Sequence, residues 1–308
     1  MSDEARSHQP EPLSVAASRP GARAQDAIVR MLSEPLEAGL YLVSTPIGNL
    51  GDITLRALGV LARADVVYCE DTRHSAKLLQ HYSITARMRP FHEHNEDREI
   101  ERAIGELQAG KRIAIISDAG TPLLSDPGFK LVRAAAQAGV PVVPIPGASA
   151  LLAALTASGL PTDAFFFAGF LPPKQASRRA RLAELSAIPG SLVFYEAPHR
   201  AAETLQDMAE LLGERQAVVA RELTKMHEEI ARGSLVELAG TASADMKGEV
   251  VIVAGPAQAQ AVSDEMLGDR LAGALKVMSL KDAARALADE FGVPKARVYG
   301  LGIKSKGR

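Results

Sequence analysis

The 308-residue sequence has one cysteine, Cys69, no tryptophan and only 4% aromatic residues. A single cysteine excludes an internal disulfide and any multi-cysteine zinc site, and it points to a reducing, cytoplasmic setting. In "DVVYCED" it reads as a small buried residue of a strand. The formal net charge is −2, so no global field draws the chain to a polyanion, and a nucleic acid would have to meet a local basic patch. Long apolar runs are missing too. The most apolar stretch, "VPVVPIPGASALLAALTASGLP", is broken by Pro141, Pro144, Pro146 and Gly147 and reads as strand, turn and buried helix, not as a membrane span. Neither the G-x-G-x-x-G dinucleotide loop nor the G-x-x-x-x-G-K-S/T phosphate loop occurs.

What is present is alternation. Residues 1–38 are rich in Ser, Ala, Pro, Glu and Arg without a sustained apolar period, and they are expected to form a disordered extension with no secretory h-region. From Leu40, short β-branched runs alternate with helical patterns: "LYLVS" precedes "DITLRALGVLARA", where Asp52 can cap the helix, "DVVYCED" precedes "TRHSAKLLQHY", and "RIAIISDAG" precedes "FKLVRAAAQAG". This is the rhythm of parallel α/β layering. After "FFFAGFLPPK" the strands come closer together, which points to a mixed sheet. The expected organisation is α/β: two α/β domains over 39–160 and 161–257 with a ligand cleft between them, then a basic, helix-turn-helix-like module over 264–308.

In such sheets ligands sit at the carboxyl ends of strands. Four loops there carry Gly, Pro or small hydroxyl residues: "STPIGNLGD", "CEDTRHS", "SDAGTPLLSDPG" and "PIPGASA". The third is the strongest signal, because twelve residues between a strand and a helix exceed what connection alone requires.

Eight collinear motifs, "LYLVSTPIGNLGDITLRAL", "EDTRHSAKLL", "FHEHNE", "SDAGTPLLSDPG", "GFLPPK", "FYEAPHR", "ARELTK" and "KGEVVIVAG", resemble the ribosomal RNA small subunit methyltransferase I family of the tetrapyrrole methylase superfamily, the class III methyltransferases. The resemblance runs from about Leu40 to Gly255. It implies a homodimer that uses S-adenosyl-L-methionine to methylate the ribose 2′-oxygen of a cytidine in the decoding region of 16S rRNA. It also implies a cofactor folded into the cleft against Pro46, Gly48, Asp118, Gly120, Thr121, Pro122, Leu123, Ser125, Ser149, Ala150, Tyr195, Glu196 and Ala197. Gly120-Thr121-Pro122 matches the superfamily's Gly-Asp-Pro loop with Thr121 in place of the acid, which leaves Asp118 or Asp126 to supply a carboxylate. Ser149-Ala150 matches a Thr-Ala pair, and "FYEA" the strand end whose backbone meets the adenine.

Methyl transfer from a sulfonium mainly requires alignment with a nucleophile in a cleft that limits water, and no metal. A ribose hydroxyl gains from a group that takes or orients its proton. Asp71 and Lys225 are the candidates for that catalytic role; the plainer uses are a helix N-cap for Asp71 and a surface amine for Lys225. His92 and His94 invite a metal, but no third ligand follows at a sensible spacing, so substrate contact or capping by Asn95 is favoured. For RNA, Arg73, Arg221 and the acid-free run "FLPPKQASRRAR", with Lys174, Arg178, Arg179 and Arg181, are candidate phosphate contacts. The 264–308 module carries nine Lys/Arg against four Asp/Glu from Met266 onward, and is expected to dock RNA without reading DNA sequence.

Overall fold

A computed structural model describes residues 22–92, 94–243, 245–257 and 263–306. The expectation for residues 1–21 lies outside them. Residues 22–33, expected to be disordered, are instead a helix, α1 (Ala22–Ser33). Ala27, Ile28 and Met31 form a half-buried stripe, and Met31 packs where Gly59 has no side chain. One apolar stripe among charges is too short a period to stand out in the sequence.

The first sheet is built from β1 (Gly39–Val43), α2 (Leu55–Leu61), β2 (Val66–Cys69), α3 (Thr72–His81), β3 (Met88–Pro90), α4 (Glu96–Gln108), β4 (Arg112–Ile115), α5 (Phe129–Gln137) and β5 (Val142–Ile145). Its order is β3-β2-β4-β1-β5, with parallel pairing throughout. Alternation along the strands fills both faces: Tyr41, Val43, Val67 and Cys69 pack with α2 and α3, and Leu40, Val66, Tyr68 and Ile113 with α4 and α5. Thr54, not Asp52, caps α2, accepting from the Ala57 amide at 3.2 Å, because Asp52 closes a 3₁₀ turn one step earlier.

Next come α6 (Ala150–Ser158), β6 (Phe165–Phe170), α7 (Gln175–Leu185), β7 (Ser191–Glu196), α8 (Ala201–Leu212), β8 (Gln216–Arg221), β9 (Glu229–Ser234), α9 (Leu235–Thr241) and β10 (Val250–Ala254). The second sheet runs β6-β7-β10-β8-β9. Only β6 and β7 pair in parallel. Helices α7, α8 and α9 cover one face. The other face receives α6, whose Leu151, Ala154 and Leu155 pack with Val193, Val218, Val251 and Val253. Although α6 follows β5 of the first sheet in sequence, it belongs to the core of the second.

Three helices, α10 (Asp264–Ala274), α11 (Leu280–Phe291) and α12 (Lys295–Lys306), close the chain around their own small core of Leu267, Leu271, Ala283, Leu287 and Val298. The helix–Gly–helix reading matches α11, Gly292 in the left-handed conformation and α12; α10 is additional. No described helix is long and apolar enough to cross a membrane.

Arg178 is corrected here as a phosphate contact. Its side chain is 1% exposed and donates to Asp207, itself 1% exposed, at 2.6 Å. Arg179 joins the same carboxylate at 2.9 Å and Glu210 at 2.5 Å, and Arg181 pairs with Glu184. The acids missing from "FLPPKQASRRAR" are supplied largely by the neighbouring α8, which a linear reading cannot show. Burial pushes the Asp207 carboxyl up, but the two guanidiniums outweigh it and hold it below the usual carboxylate range. Removing one partner of a buried pair strands the other charge, so Asp207→Ala is expected to cost roughly 3–5 kcal/mol in urea unfolding at pH 7. Because its folded pKa is depressed, this contribution is present above the unfolded carboxylate value and lost as pH falls through the folded one. The Asp207→Ala deficit should therefore shrink below about pH 4.

Candidate active site

The loops after β1 and β4 are joined by a two-bond bridge: the Thr45 amide donates to Gly120 O at 2.9 Å and the Gly120 amide to Thr45 O at 3.1 Å. Thr45 Oγ1 adds a bond to Ser117 O. Thr121 donates to Ala148 O at 3.2 Å and lies 3.2 Å from Ser44 Oγ, so its hydroxyl stitches three strand ends together. Leu123 and Ser125 both adopt positive φ, 74° and 69°. Such conformations are unfavourable for residues with a Cβ and persist where the surroundings over-determine them.

The opposite wall comes from the second sheet. Because β10 is antiparallel to β7, its first residues lie beside the end of β7, with Val250 opposite Glu196 and Val251 opposite Tyr195. The Leu151 amide donates to the Tyr195 hydroxyl at 3.3 Å, which ties α6 to this wall. The Tyr195 ring meets Phe167 and Phe170 edge-on, at 4.9 and 5.7 Å. Burial raises the Tyr195 phenol above its ordinary value, so it stays neutral. Glu196 has a fully buried side chain that accepts from Thr204 Oγ1 at 2.7 Å and pairs with Arg200. It therefore faces the cleft through its backbone.

Between the walls lies a cleft of about 360 Å³ lined by Ile47, Asp118, Ala119, Gly120, Thr121, Leu124, Ser125, Asp126, Ala150, Phe170, Tyr195, Glu196, Ala197, Pro198, Glu249, Val250 and Val251. That size, mostly apolar with a few carboxylates, is typical of a small-molecule site. An open groove of about 700 Å³ adjoins it, lined by Glu70, His92, His94, Glu96, Phe129 and Lys130, and it shares Ser125 and Asp126 with the cleft.

The charged groups are differentiated by their surroundings. Burial, reinforced by the charges of Glu70 and Asp118, pushes the Asp126 carboxyl up to about 6, while a Ser117 hydrogen bond opposes this. The Arg73 amide, bonded to Asp71 at 2.8 Å, and the Arg73 guanidinium hold the Asp71 carboxyl below its ordinary value. Burial pulls the Lys225 ammonium down, but the carboxylates of Glu222 and Glu249, each 2.9 Å away, outweigh it and hold its pKa above the usual lysine value. Asp71 caps α3, and Lys225 sits protonated between two acids. Both are poor proton acceptors near neutral pH.

Of the residues expected to hold a cofactor, Asp118, Gly120, Thr121, Ser125, Ala150, Tyr195, Glu196 and Ala197 line the cleft. Pro46 is buried in the loop after β1 and does not line the cleft, and Ser149 is the buried N-cap of α6. Pro122 lies on the far side of the Asp126 loop, against Cys69 and Phe91, and Leu123 packs towards Gly128. Gly48 touches the other half of the molecule: a Cβ there would come within 2.4 Å of Lys225 Cγ. Arg73 is exposed beside Asp71, Lys174 is exposed, and Arg221 pairs with Glu229 at 2.7 Å. Asn95 occupies the N-cap position of α4 without a side-chain capping bond; its side chain instead accepts from the His92 amide and donates to Pro90 O. Among the described residues no group of three or more His, Cys, Asp or Glu could hold a metal. Glu249 was missed, because a search of carboxyl ends skips the amino end of an antiparallel strand. "KGEVVIVAG", with an acid opening an apolar run, was its only signal. Ile47, Leu124 and Phe170 were missed as ordinary core or edge residues.

The Tetrapyrrole (Corrin/Porphyrin) Methylases family matches residues 39–239. Ribosomal RNA small subunit methyltransferase I of Mesorhizobium japonicum is 52% identical over 270 residues, 87% of this chain and 92% of the relative. The protein of the same name from Vibrio cholerae is 46% identical over 275 residues, 87% and 95% of the two chains. Among solved structures, uroporphyrin-III C-methyltransferase from Thermus thermophilus, complexed with S-adenyl homocysteine, shares the fold at a TM-score of 0.50 and 20% identity, covering 70% of this chain and 96% of that one.

Gly48→Val forces the Lys225 stem away from the loop and from Glu249 on the cleft wall. S-adenosylhomocysteine binding, read by calorimetry, is expected to weaken tenfold or more. Because φ at Gly48 is +157°, a conformation valine adopts only under strain, the thermal midpoint should fall as well, and binding is compared well below the variant's midpoint.

Proposed function

Because the chain belongs to the tetrapyrrole (corrin/porphyrin) methylases, and within them to the ribosomal RNA small subunit methyltransferase I proteins, we propose that it methylates the ribose 2′-oxygen of a cytidine in the decoding region of 16S rRNA. The observation that carries this reading is the cleft between the sheets, closed on one side by the strained "SDAGTPLLSDPG" loop and opening onto a second groove. S-adenosylmethionine, when bound, supplies a methyl group on a positively charged sulfur.

The residues present suit that ligand. Ile47, Leu124, Tyr195, Val250 and Val251 offer apolar walls for a purine ring, and the backbones of Gly120, Glu196 and Ala197 offer polar groups at the rim. Asp118, Asp126 and Glu249 place carboxylates where a cationic ligand would be held. The second groove, beside these acids, would take the target nucleotide. Packing of Ile47 and Leu124 against the second sheet limits water on the cleft floor, which strengthens the electrostatic contacts made there.

RNA docking belongs to the C-terminal helices in this reading. Arg270 and Arg297 are paired with Glu290 and Asp264. Lys276, Lys281, Arg285, Lys295 and Lys304 are exposed and have no ion pair among the described residues, so they are available to phosphates. Arg73, Lys174 and Arg221 lie elsewhere on the surface as further candidates. A homodimer and a cytoplasmic location are parts of the same reading; exposed Leu152, Phe165, Phe166 and Val236 offer apolar surface for a second copy.

Mapping ribose methylation on 16S rRNA from cells with and without the gene is expected to show one decoding-region cytidine losing its methyl group. An unchanged pattern overturns the assignment. Deleting residues 264–308 should weaken rRNA binding and reduce the slope of log affinity against log salt by up to roughly 3.5, five cations at about 0.7 each. An unchanged slope moves docking to another surface.

A further inference from the structure

The groove beside the cleft carries an aromatic ring that the fold does not use. Phe129, the first residue of α5, is 68% exposed, and no other phenylalanine or tyrosine among the described residues is as exposed. Helix α5 buries Leu131 and Ala135. At about 100° per residue, Phe129 stands roughly 200° round the helix from Leu131, on the side away from the core. A single exposed ring is ordinary on a protein surface. This one lines the open groove, which shares Ser125 and Asp126 with the cleft.

The backbone on both sides of the ring is fixed. Gly128 precedes it at a φ of +125°, where a Cβ would come within 2.9 Å of Ile115 Cδ1, and the Gly128 amide donates to Glu96 Oε1 at 3.3 Å. Lys130 follows it and pairs with Glu96 and Asp97 at 3.1 and 3.0 Å. The start of α5 is thereby tied to α4, and the Lys130 ammonium is already matched by two acids. Glu70, Glu96 and Asp126 make the groove acidic, which disfavours phosphate there. A nucleobase is uncharged and has a π-face for the ring, and an amino group such as that of cytosine can donate to a carboxylate.

We infer that Phe129 is the platform on which the base of the methylated nucleotide stacks. This rests on the methyltransferase reading above. The base hangs from the ribose carbon next to the one bearing the 2′-oxygen, so a hydroxyl brought to the seam at Ser125 and Asp126 leaves its own base in the groove. Aromatic side chains recognise unpaired RNA bases by their faces, and a ring held on a rigid helix start loses little freedom when a base settles on it.

The test uses the full chain with S-adenosylhomocysteine and small-subunit rRNA, free and assembled into subunits, that carries the fluorescent analogue pyrrolocytosine at the methylated position. Binding is measured on whichever form the wild type methylates. Phe129→Ala is expected to weaken RNA affinity roughly five- to hundredfold and to abolish the quenching that stacking produces in the wild type. Phe129→Leu keeps apolar bulk without a π-face and should be as weak, whereas Phe129→Trp should bind at least about fivefold more tightly than Phe129→Leu. S-adenosylhomocysteine affinity of Phe129→Ala should stay within about threefold, since Phe129 does not line the cleft. Wild-type RNA affinity in Phe129→Ala, quenching that survives it, or equal binding by Phe129→Leu and Phe129→Trp overturns the inference. So does a Phe129→Ala protein whose sedimentation mass halves, which would make the ring a contact between copies of the chain. Failure of the wild type to methylate rRNA while it binds S-adenosylhomocysteine counts against the methyltransferase reading instead.

Discussion

The molecule depends on one apolar contact, the packing of Ile47, Leu151, Ala154 and Leu155 against Val193, Val218, Val251 and Val253. Ile47 comes from the loop after β1 and the leucines from α6, so elements of the first half of the chain are buried in the core of the second. Each fully buried aliphatic side chain is worth about 1.5–3 kcal/mol, and several together fix the two sheets in one arrangement. The cleft exists because of that arrangement. Its first wall is the pair of loops joined at Thr45 and Gly120, and its second is the β7–β10 edge, held to α6 by the Leu151 amide on the Tyr195 hydroxyl. The Lys225 stem over Gly48 is a further crossing between the halves.

Around this hinge of packing the acids divide their tasks by environment. Asp71, Asp118, Asp126 and Glu249 all lie near the cleft, yet amide and guanidinium donors depress the first while burial and like charge raise the third. Lys225 is enclosed by Glu222 and Glu249, and the Glu222 carboxylate occupies the space left by Gly248: a Cβ there would stand 2.3 Å from Glu222 Oε1, at a φ of +86°. The glycine is what lets the "ARELTK" loop close on the start of β10. The Lys225 ammonium and the depressed Glu222 carboxylate thus fix the loop's geometry.

The layered α/β class and the mixed second sheet were legible because strand and helix periods differ, and because turn residues punctuate them. Four strand-end loops were legible as a site because Gly, Pro and small hydroxyls concentrate there beyond what turns need. Helix α1 was not, since its stripe of Ala27, Ile28 and Met31 spans little more than one turn and depends on α2 for its burial. Arg178 was misplaced because its partner Asp207 is twenty-nine residues away, and a run of like charge says nothing about the acids across from it.

By itself the sequence determined the alternating strands and helices between Leu40 and Gly255, the loops that can reach a ligand and the family, because these rest on local period, turn chemistry and collinear motifs. Only the tertiary structure decided which sheet α6 serves, that Glu249 and Phe170 wall the cleft, that Arg178 is buried, and that burial and like charge raise the Asp126 carboxyl while hydrogen bonds hold Asp71 low. The reason is that burial, like-charge proximity and antiparallel register are properties of neighbours in space, and the neighbours that set them here come from distant parts of the chain.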